Sequence, residues 1–382
     1  MNHRSAAVML AISLCASLAV SAAAPPAAPA VADTIARLRI EEAAQPVRER
    51  KDWRVPRKIV LLAFSRGTAE HREEFASAAP DTQIVLANNV QSAVAAVGDA
   101  DVLIGFNPEI CNPQIIGAAK SLRWILSLAA GVENCMALPI VHQRNLLMTN
   151  MRGVDSAVIA EDALALILAL AHGLDVFAAD TAASRWNPAH AASTEMVSLE
   201  GKKLLVVGLG GIGTELARRA HGIGMTVIAT RGSGSGKDVP DFVSHAGPPA
   251  ELLTLAHEAD VIANCAPLTP QTRGMFDAKF FAVVKPTAFF INIARGGSVV
   301  TDELVKALNE HRLAGAGLDV VDPEPLPPDH PLWRAPRVLI SPHISSRSDL
   351  PGEGRWILAR ENVRRYAAGE KMLSVVDLQR QY

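Results

Sequence analysis

Lys203-Leu-Leu-Val-Val-Gly208-Leu-Gly210-Gly211-Ile-Gly213 joins a short apolar run to a glycine pattern, and Thr214 to His221 continue it as a helix. A G-x-G-x-x-G pattern alone says little, but one that follows a strand and opens a helix has a physical purpose. Gly208 permits the tight turn, Gly210 lets backbone approach a pyrophosphate, and Gly213 lets helix and strand touch. The N–H groups at the helix start, those of Gly211 and Ile212 included, are placed to meet phosphate oxygens. The stretch predicts a dinucleotide-binding strand–helix unit.

Downstream, the runs Thr226 to Thr230, Val261 to Ala263, Ala288 to Ile293, Ala316 to Val321 and Val338 to Ile340 alternate with stretches of mixed polarity. Upstream, Lys58 to Phe64, Gln83 to Leu86, Asp101 to Gly105 and Trp124 to Leu128 do the same. Alternation of this kind predicts an α/β protein with parallel sheets: a flavodoxin-like first domain and a doubly wound dinucleotide-binding domain, both Rossmann-like. A helix rich in Arg and Glu from about Ser348, followed by a strand at Leu373 to Val376, is expected to pack back on the first domain. That domain is therefore discontinuous, with residues 55–152 and 348–382, and the dinucleotide domain takes 153–347. The apolar stretch Ala157 to Phe177 carries Glu161, Asp162, His172 and Asp175, so it reads as a core helix rather than a membrane span.

The first residues carry a separate message. His3 and Arg4 precede an apolar run, Ala6 to Val20, and then Ser21-Ala-Ala-Ala24, the pattern of a signal peptide over 1–24. Residues 25–54 are expected to be a linker or N-terminal extension. The pattern favours export, to a periplasmic space, with a cytoplasmic location as the alternative, and no stable membrane span once the signal is removed.

The 382 residues are 49% hydrophobic and 20% charged, enough for two cores. A net charge of −2 and 4% aromatic residues supply neither a basic field nor a stacking surface, so nucleic acid is not an expected partner. Cys15, Cys111, Cys135 and Cys265 form no C-x-x-C pair and have no His at ligand spacing, which predicts no metal site. They read as free thiols; in an exported chain Cys111 and Cys135 could pair, and separation along the chain does not decide it.

Arg295, Glu324 and His343 each fall just past the C-terminal end of an expected strand. Ligands of open α/β sheets bind beyond those ends, so the fold would gather a cation, a carboxylate and an imidazole, the kit for polarising and protonating a carbonyl. Arg231 ends the strand after the glycine motif, where a site for NAD needs an acid to bind the ribose hydroxyls. A guanidinium pairs with a 2′-phosphate instead, and Ser233, Ser235 and Lys237 add donors, so NADP is the expected cofactor and NAD the alternative.

With these residues in view, the chain resembles the D-isomer-specific 2-hydroxyacid dehydrogenases from Lys58 to its end. The matching stretches are Gly208 to Gly213, Ala266-Pro-Leu-Thr-Pro-Gln-Thr-Arg-Gly274, Ile291-Asn-Ile-Ala-Arg-Gly296, Gly317-Leu-Asp-Val-Val-Asp-Pro-Glu-Pro-Leu326 and Ser341-Pro-His343. The resemblance implies that the discontinuous domain binds substrate and that Arg295, Glu324 and His343 are catalytic. It implies a carboxylate-binding loop at Ala130, Gly131 and Val132, and a cofactor cleft lined by Pro267, Leu268, Thr272 and Ala294. Asp319 would lie near the nicotinamide amide or act as a structural cap. Glu324 in place of a Gln points away from formate oxidation. Gly211 stands where the family often has Arg, and Asp162 where a His commonly follows the Ala-Glu pair.

The expected activity is hydride transfer between NADP(H) and a small 2-oxo or 2-hydroxy acid, of the glyoxylate or hydroxypyruvate reductase type, in a homodimer. An exported, non-catalytic dinucleotide- or metabolite-binding protein on the same fold is the competing expectation.

Overall fold

The computed structural model describes residues 31–64, 67–232, 239–348 and 352–382. The signal segment and Ser233, Ser235 and Lys237 lie outside the described residues. Strand β1 (Glu42–Pro46) precedes five strands, β2 (Lys58–Leu62), β3 (Gln83–Ala87), β4 (Val102–Gly105), β5 (Trp124–Ser127) and β6 (Leu147–Thr149). They form a parallel sheet in the order β3-β2-β4-β5-β6, the flavodoxin-like order anticipated from the alternation.

A second set follows: β7 (Lys203–Val207), β8 (Thr226–Thr230), β9 (His245–Gly247), β10 (Val261–Asn264), β11 (Phe289–Asn292), β12 (Gly315–Leu318) and β13 (Val338–Ile340). Its order is β13-β12-β11-β10-β7-β8-β9, all parallel, which is the doubly wound dinucleotide-binding order with one strand added. The order reverses between β7 and β10, and that crevice is where a dinucleotide lies in such sheets.

Both sheets are buried on their two faces, which is why their strands read as continuous apolar runs. On one face of the second sheet Phe290 of β11 packs against Phe276, Phe280 and Phe281, and the other face rests on the helices Ser156–Ala171 and Gly211–Gly222. Each fully buried Phe contributes about 1.5–3 kcal/mol. The apolar stretch expected to be one core helix is two, Ser156–Ala171 and Leu174–Ala182, because Gly173 adopts the left-handed conformation at φ 66°. Among the described residues no single helix is long and apolar enough to cross a membrane, and this pair is bent by 78°.

The C-terminal helix Glu353–Ala368 packs on the first sheet, as expected: Tyr366 stacks on Trp124 at 4.7 Å between ring centroids. The last strand, β14, spans Lys371–Leu373, earlier than Leu373 to Val376, because it pairs antiparallel with β1 while Val375 bridges to Thr149. Part of the stretch expected as linker is thereby ordered. Residues 31–54 carry the helix Val31–Arg37, which packs on Glu353–Ala368, and strand β1.

Candidate active site

Strands β11, β12 and β13 pair in register, with Asn292 beside Leu318 and Leu318 beside Ile340, so three chain segments leave the sheet along one edge. Arg295, Glu324 and His343 all sit on those departing segments. The turn carrying Arg295 rests directly on the next one: a Cβ on Gly296 would collide with the Val321 carbonyl, so the close approach requires glycine.

The Arg295 backbone is held by a buried polar network that sequence reading missed. Asn264 and Asn292 are Cα partners at the ends of β10 and β11, and the Asn264 amide donates to Asn292 Oδ1 at 2.9 Å and to Ser298 Oγ at 2.8 Å. Asn292 Nδ2 and Ser298 Oγ then donate to the Arg295 carbonyl at 3.0 and 2.7 Å. An Asn ending each of two neighbouring apolar strands was the available signal, because a buried amide is retained only where its bonds are satisfied.

The Arg295 side chain crosses to the other domain. Its Nε donates to Glu133 Oε1 at 2.6 Å, its Nη1 to the Ala294 carbonyl at 2.6 Å, and Nη2 lies against Gly131. A residue just past β11 thus meets a residue just past β5, so the C-terminal edges of the two sheets face one another across the cleft. The loop Ala130-Gly131-Val132 is at the meeting point. Its Ala130 and Gly131 carbonyls accept from Asn150 and Asn107 at 2.7 and 3.1 Å, so the polar groups it can offer a ligand are N–H groups. Glu133, a residue with no assigned role in the sequence reading, completes this corner.

His343 Nδ1 lies 3.1 and 3.2 Å from the two Glu324 oxygens. Both side chains are exposed at the cleft, and with Nδ1 committed to the carboxylate, Nε2 is the nitrogen able to exchange a proton with a ligand. Asp319 is buried beneath them. It accepts from Ser341 Oγ at 2.7 Å, from the Ile344 amide at 2.8 Å and from the Ser345 amide at 3.0 Å. Burial alone would raise its pKa, but the bonds from Ser345, Ile344 and Ser341 outweigh that and hold it below the usual carboxylate range. Of the two roles expected for Asp319, these contacts are those of a cap.

At the glycine motif, Gly208 has φ 98° and a Cβ there would lie 2.8 Å from the Ala266 backbone, while a Cβ on Gly213 would strike the Gly208 carbonyl. Over Gly210 there is open space: a Cβ would meet nothing within 4 Å. Gly210 begins the helix with no side chain capping its first N–H groups, and Gly211 lies under Ser156. Free helix N–H groups beneath an open glycine fit a pyrophosphate. Arg231 follows Thr230 at the end of β8, its amide bonded to the Gly247 carbonyl at 2.8 Å. Pro267 and Thr272 close the turn after β10, where the Thr272 hydroxyl donates to the Pro267 carbonyl at 2.6 Å. Ala294 precedes Arg295 and is buried.

Cys111 and Cys135 are not the free thiols that the sequence favoured: the fold brings their Cα atoms to 4.8 Å and they form a disulfide, whereas Cys265 is a free thiol whose pKa burial pushes up to about 12. Among the described residues no cluster of three His, Cys, Asp or Glu could hold a metal ion.

The family model described as "D-isomer specific 2-hydroxyacid dehydrogenase, NAD binding domain" matches residues 164–345. A glyoxylate reductase of Thermococcus litoralis is 32% identical over 282 residues, covering 72% of this chain and 82% of that protein. The glyoxylate reductase/hydroxypyruvate reductase of Mus musculus is 32% identical over 283 residues, with coverages of 74% and 85%. The crystal structure of a D-isomer specific 2-hydroxyacid dehydrogenase family protein from Aeromonas salmonicida superposes with a TM-score of 0.71 at 27% identity, covering 85% of this chain and all of that one.

Proposed function

The chain belongs to the D-isomer specific 2-hydroxyacid dehydrogenase family, an NAD(P)-dependent oxidoreductase acting on CH–OH groups, and from that premise we propose that it reduces small 2-oxo acids with NADP(H) preferred. Glyoxylate and hydroxypyruvate are the proposed substrates. The observation that carries the reading is the Glu324–His343 pair on the same sheet edge as Arg295, whose guanidinium abuts Gly131.

The cofactor, when bound, supplies the hydride. The protein's part is to receive the substrate carboxylate, hold the carbonyl still and deliver a proton. Arg295 Nη2 and the N–H groups of Ala130, Gly131 and Val132 offer the carboxylate a charge-assisted pocket. His343 Nε2 gives a proton to the carbonyl oxygen as negative charge develops there, and Glu324 fixes the tautomer and stabilises the imidazolium. Gly208, Gly210, Gly211, Ile212 and Gly213 hold the pyrophosphate, while Pro267, Thr272 and Ala294 border the cleft.

The NADP preference rests on Arg231, since a guanidinium at the end of the second strand of the unit pairs with a 2′-phosphate. Export rests on the signal pattern over 1–24 and on the Cys111–Cys135 disulfide, a bond that persists in oxidising compartments. A homodimer is supported by Leu174, Trp186 and Met196, which are 55%, 96% and 59% exposed on neighbouring segments of the chain. The apolar helix Ser156–Ala171 offers such an interface less surface, because Ala163, Ile167 and Leu170 are buried.

The test is to purify the mature chain from about residue 25 and follow consumption of NADPH and NADH with a panel of 2-oxo acids. Turnover supports the reading; saturable cofactor binding without turnover of any acid would favour the exported binding protein instead. Light scattering on the same sample decides the dimer.

A further inference from the structure

The corner that receives the substrate carboxylate is fastened by groups that no step of the reaction uses. Glu133 holds Arg295 by its Nε edge. Asn107 Nδ2 donates to the Gly131 carbonyl at 3.1 Å, and Asn107 Oδ1 accepts from Asn134 at 3.0 Å. Cys135, two residues past Glu133 on the helix Glu133–Met136, is bonded to Cys111 in the turn Glu109–Cys111, with Cα atoms 4.8 Å apart and both residues buried.

We propose that Glu133 is a positioning residue for Arg295, and that the Cys111–Cys135 disulfide fixes Glu133 in place, so that the redox state of this bond sets the affinity for the 2-oxo acid. The inference rests on the reading that Arg295 receives the substrate carboxylate. A guanidinium carries five donors in one plane, so engaging Nε with Glu133 and Nη1 with the Ala294 carbonyl directs Nη2 at the Gly131 loop. Without Glu133 the long Arg stem regains rotamers that substrate binding must then remove.

The disulfide matters because the helix carrying Glu133 has four residues, far too few to hold its own shape. Reduction takes two electrons and two protons from a dithiol, which leaves as its own disulfide, and yields two thiols in place of the sulfur–sulfur bond. The loop then keeps its bonds to Asn107, Asn150 and His142 and the burial of Val132 and Met136, but loses the covalent tie that fixes the Glu133 turn. Cys265 takes no part, since it packs on the separate core of the dinucleotide sheet.

The experiment compares KM and kcat for glyoxylate with NADPH in the oxidised parent, the parent reduced with dithiothreitol, Cys111→Ser/Cys135→Ser, Glu133→Gln and Glu133→Asp. A thiol count confirms each redox state. KM is expected to rise about tenfold in Glu133→Gln, the worth of one charge-assisted contact, and by a smaller factor on loss of the disulfide. In both cases kcat falls less than KM rises, KM for NADPH stays put, and Glu133→Asp recovers part of the loss. In the double-serine background Glu133→Gln adds less than in the parent, because the two changes act on one element.

A disulfide that serves stability alone would lower Tm and leave KM unmoved, and that result would overturn the proposal; if the serine variant fails to fold, the reduced parent carries the comparison. Affinity for oxamate, a non-reducible mimic, measured on the NADPH-loaded protein reads positioning without turnover. A parent that binds oxamate but reduces nothing counts against the enzyme reading, whereas oxamate affinity indifferent to reduction counts against this one.

Discussion

The amide of His343 donates to the backbone carbonyl of Asp319 at 2.8 Å, while the Asp319 carboxylate gathers the two amides that follow His343. The turn is thereby set with His343 at φ 53°, a left-handed conformation that costs a non-glycine residue about 1–3 kcal/mol and persists only where its surroundings impose it. Asp319→Asn turns an N–H toward partners that are themselves donors, the Ser341 hydroxyl and the Ile344 and Ser345 amides. It is expected to lose about 2 kcal/mol of stability at neutral pH and to lower kcat by misplacing His343. Because the folded-state pKa of Asp319 lies below its ordinary value of 3.8, its stabilisation is present above that range and lost as pH falls through the folded value. Urea midpoints of parent and variant should therefore converge in acid and separate toward neutrality.

Glu324→Gln keeps the size of the side chain and removes the charge that stabilises a protonated His343. A positioned acid contributes about 10²–10⁴ in rate, so kcat is expected to fall by at least the lower figure, while KM for NADPH is unchanged. Steady-state kinetics with each substrate varied in turn reads both constants. A rise in KM with kcat unchanged would place Glu324 in binding rather than in proton delivery.

Arg231→Asp places a carboxylate where a 2′-phosphate would lie. The ratio of kcat/KM for NADPH over NADH is expected to fall by about tenfold or more, the worth of a charge-assisted pair. An unchanged ratio would remove the argument for NADP.

Asp162, on the helix Ser156–Ala171, has a buried oxygen with no hydrogen-bond partner among the described residues, and its pKa is raised by burial and by the charge of Asp319. The charged form is thus penalised in the folded state, a penalty in force above the raised value and relieved as pH falls through it. Asp162→Asn is expected to raise stability at neutral pH by about 1 kcal/mol, a modest figure for a half-buried group, with the gain fading in acid. Thermal unfolding across pH checks the sign.

The strand–glycine–helix stretch and the alternating apolar runs made both sheets legible, because parallel strands buried on two faces announce themselves by composition. Strands β6 and β9 were not legible: Leu147–Thr149 and His245–Gly247 lack the β-branched apolar run that marks the equally short Val338–Ile340, and they exist because the sheet beside them offers unpaired backbone. The positions of Arg295, Glu324 and His343 were legible as residues leaving successive strands. Glu133 was not, since its ion pair with Arg295 joins residues 162 apart in the chain and depends on how two domains meet. The Asn264–Asn292 pair falls between these cases, for two polar residues ending neighbouring apolar strands are visible in the sequence once the register is known.

The central claim is that the imidazole of His343, oriented by Glu324 beside Arg295, completes the reduction of a 2-oxo acid. The most direct test is turnover of hydroxypyruvate by the mature parent and by His343→Ala, with NADPH affinity and the handedness of the glycerate product recorded alongside. The account predicts D-glycerate from the parent and a loss of at least about a hundredfold in kcat in the variant with NADPH affinity retained. A variant that turns over as fast as the parent would contradict it.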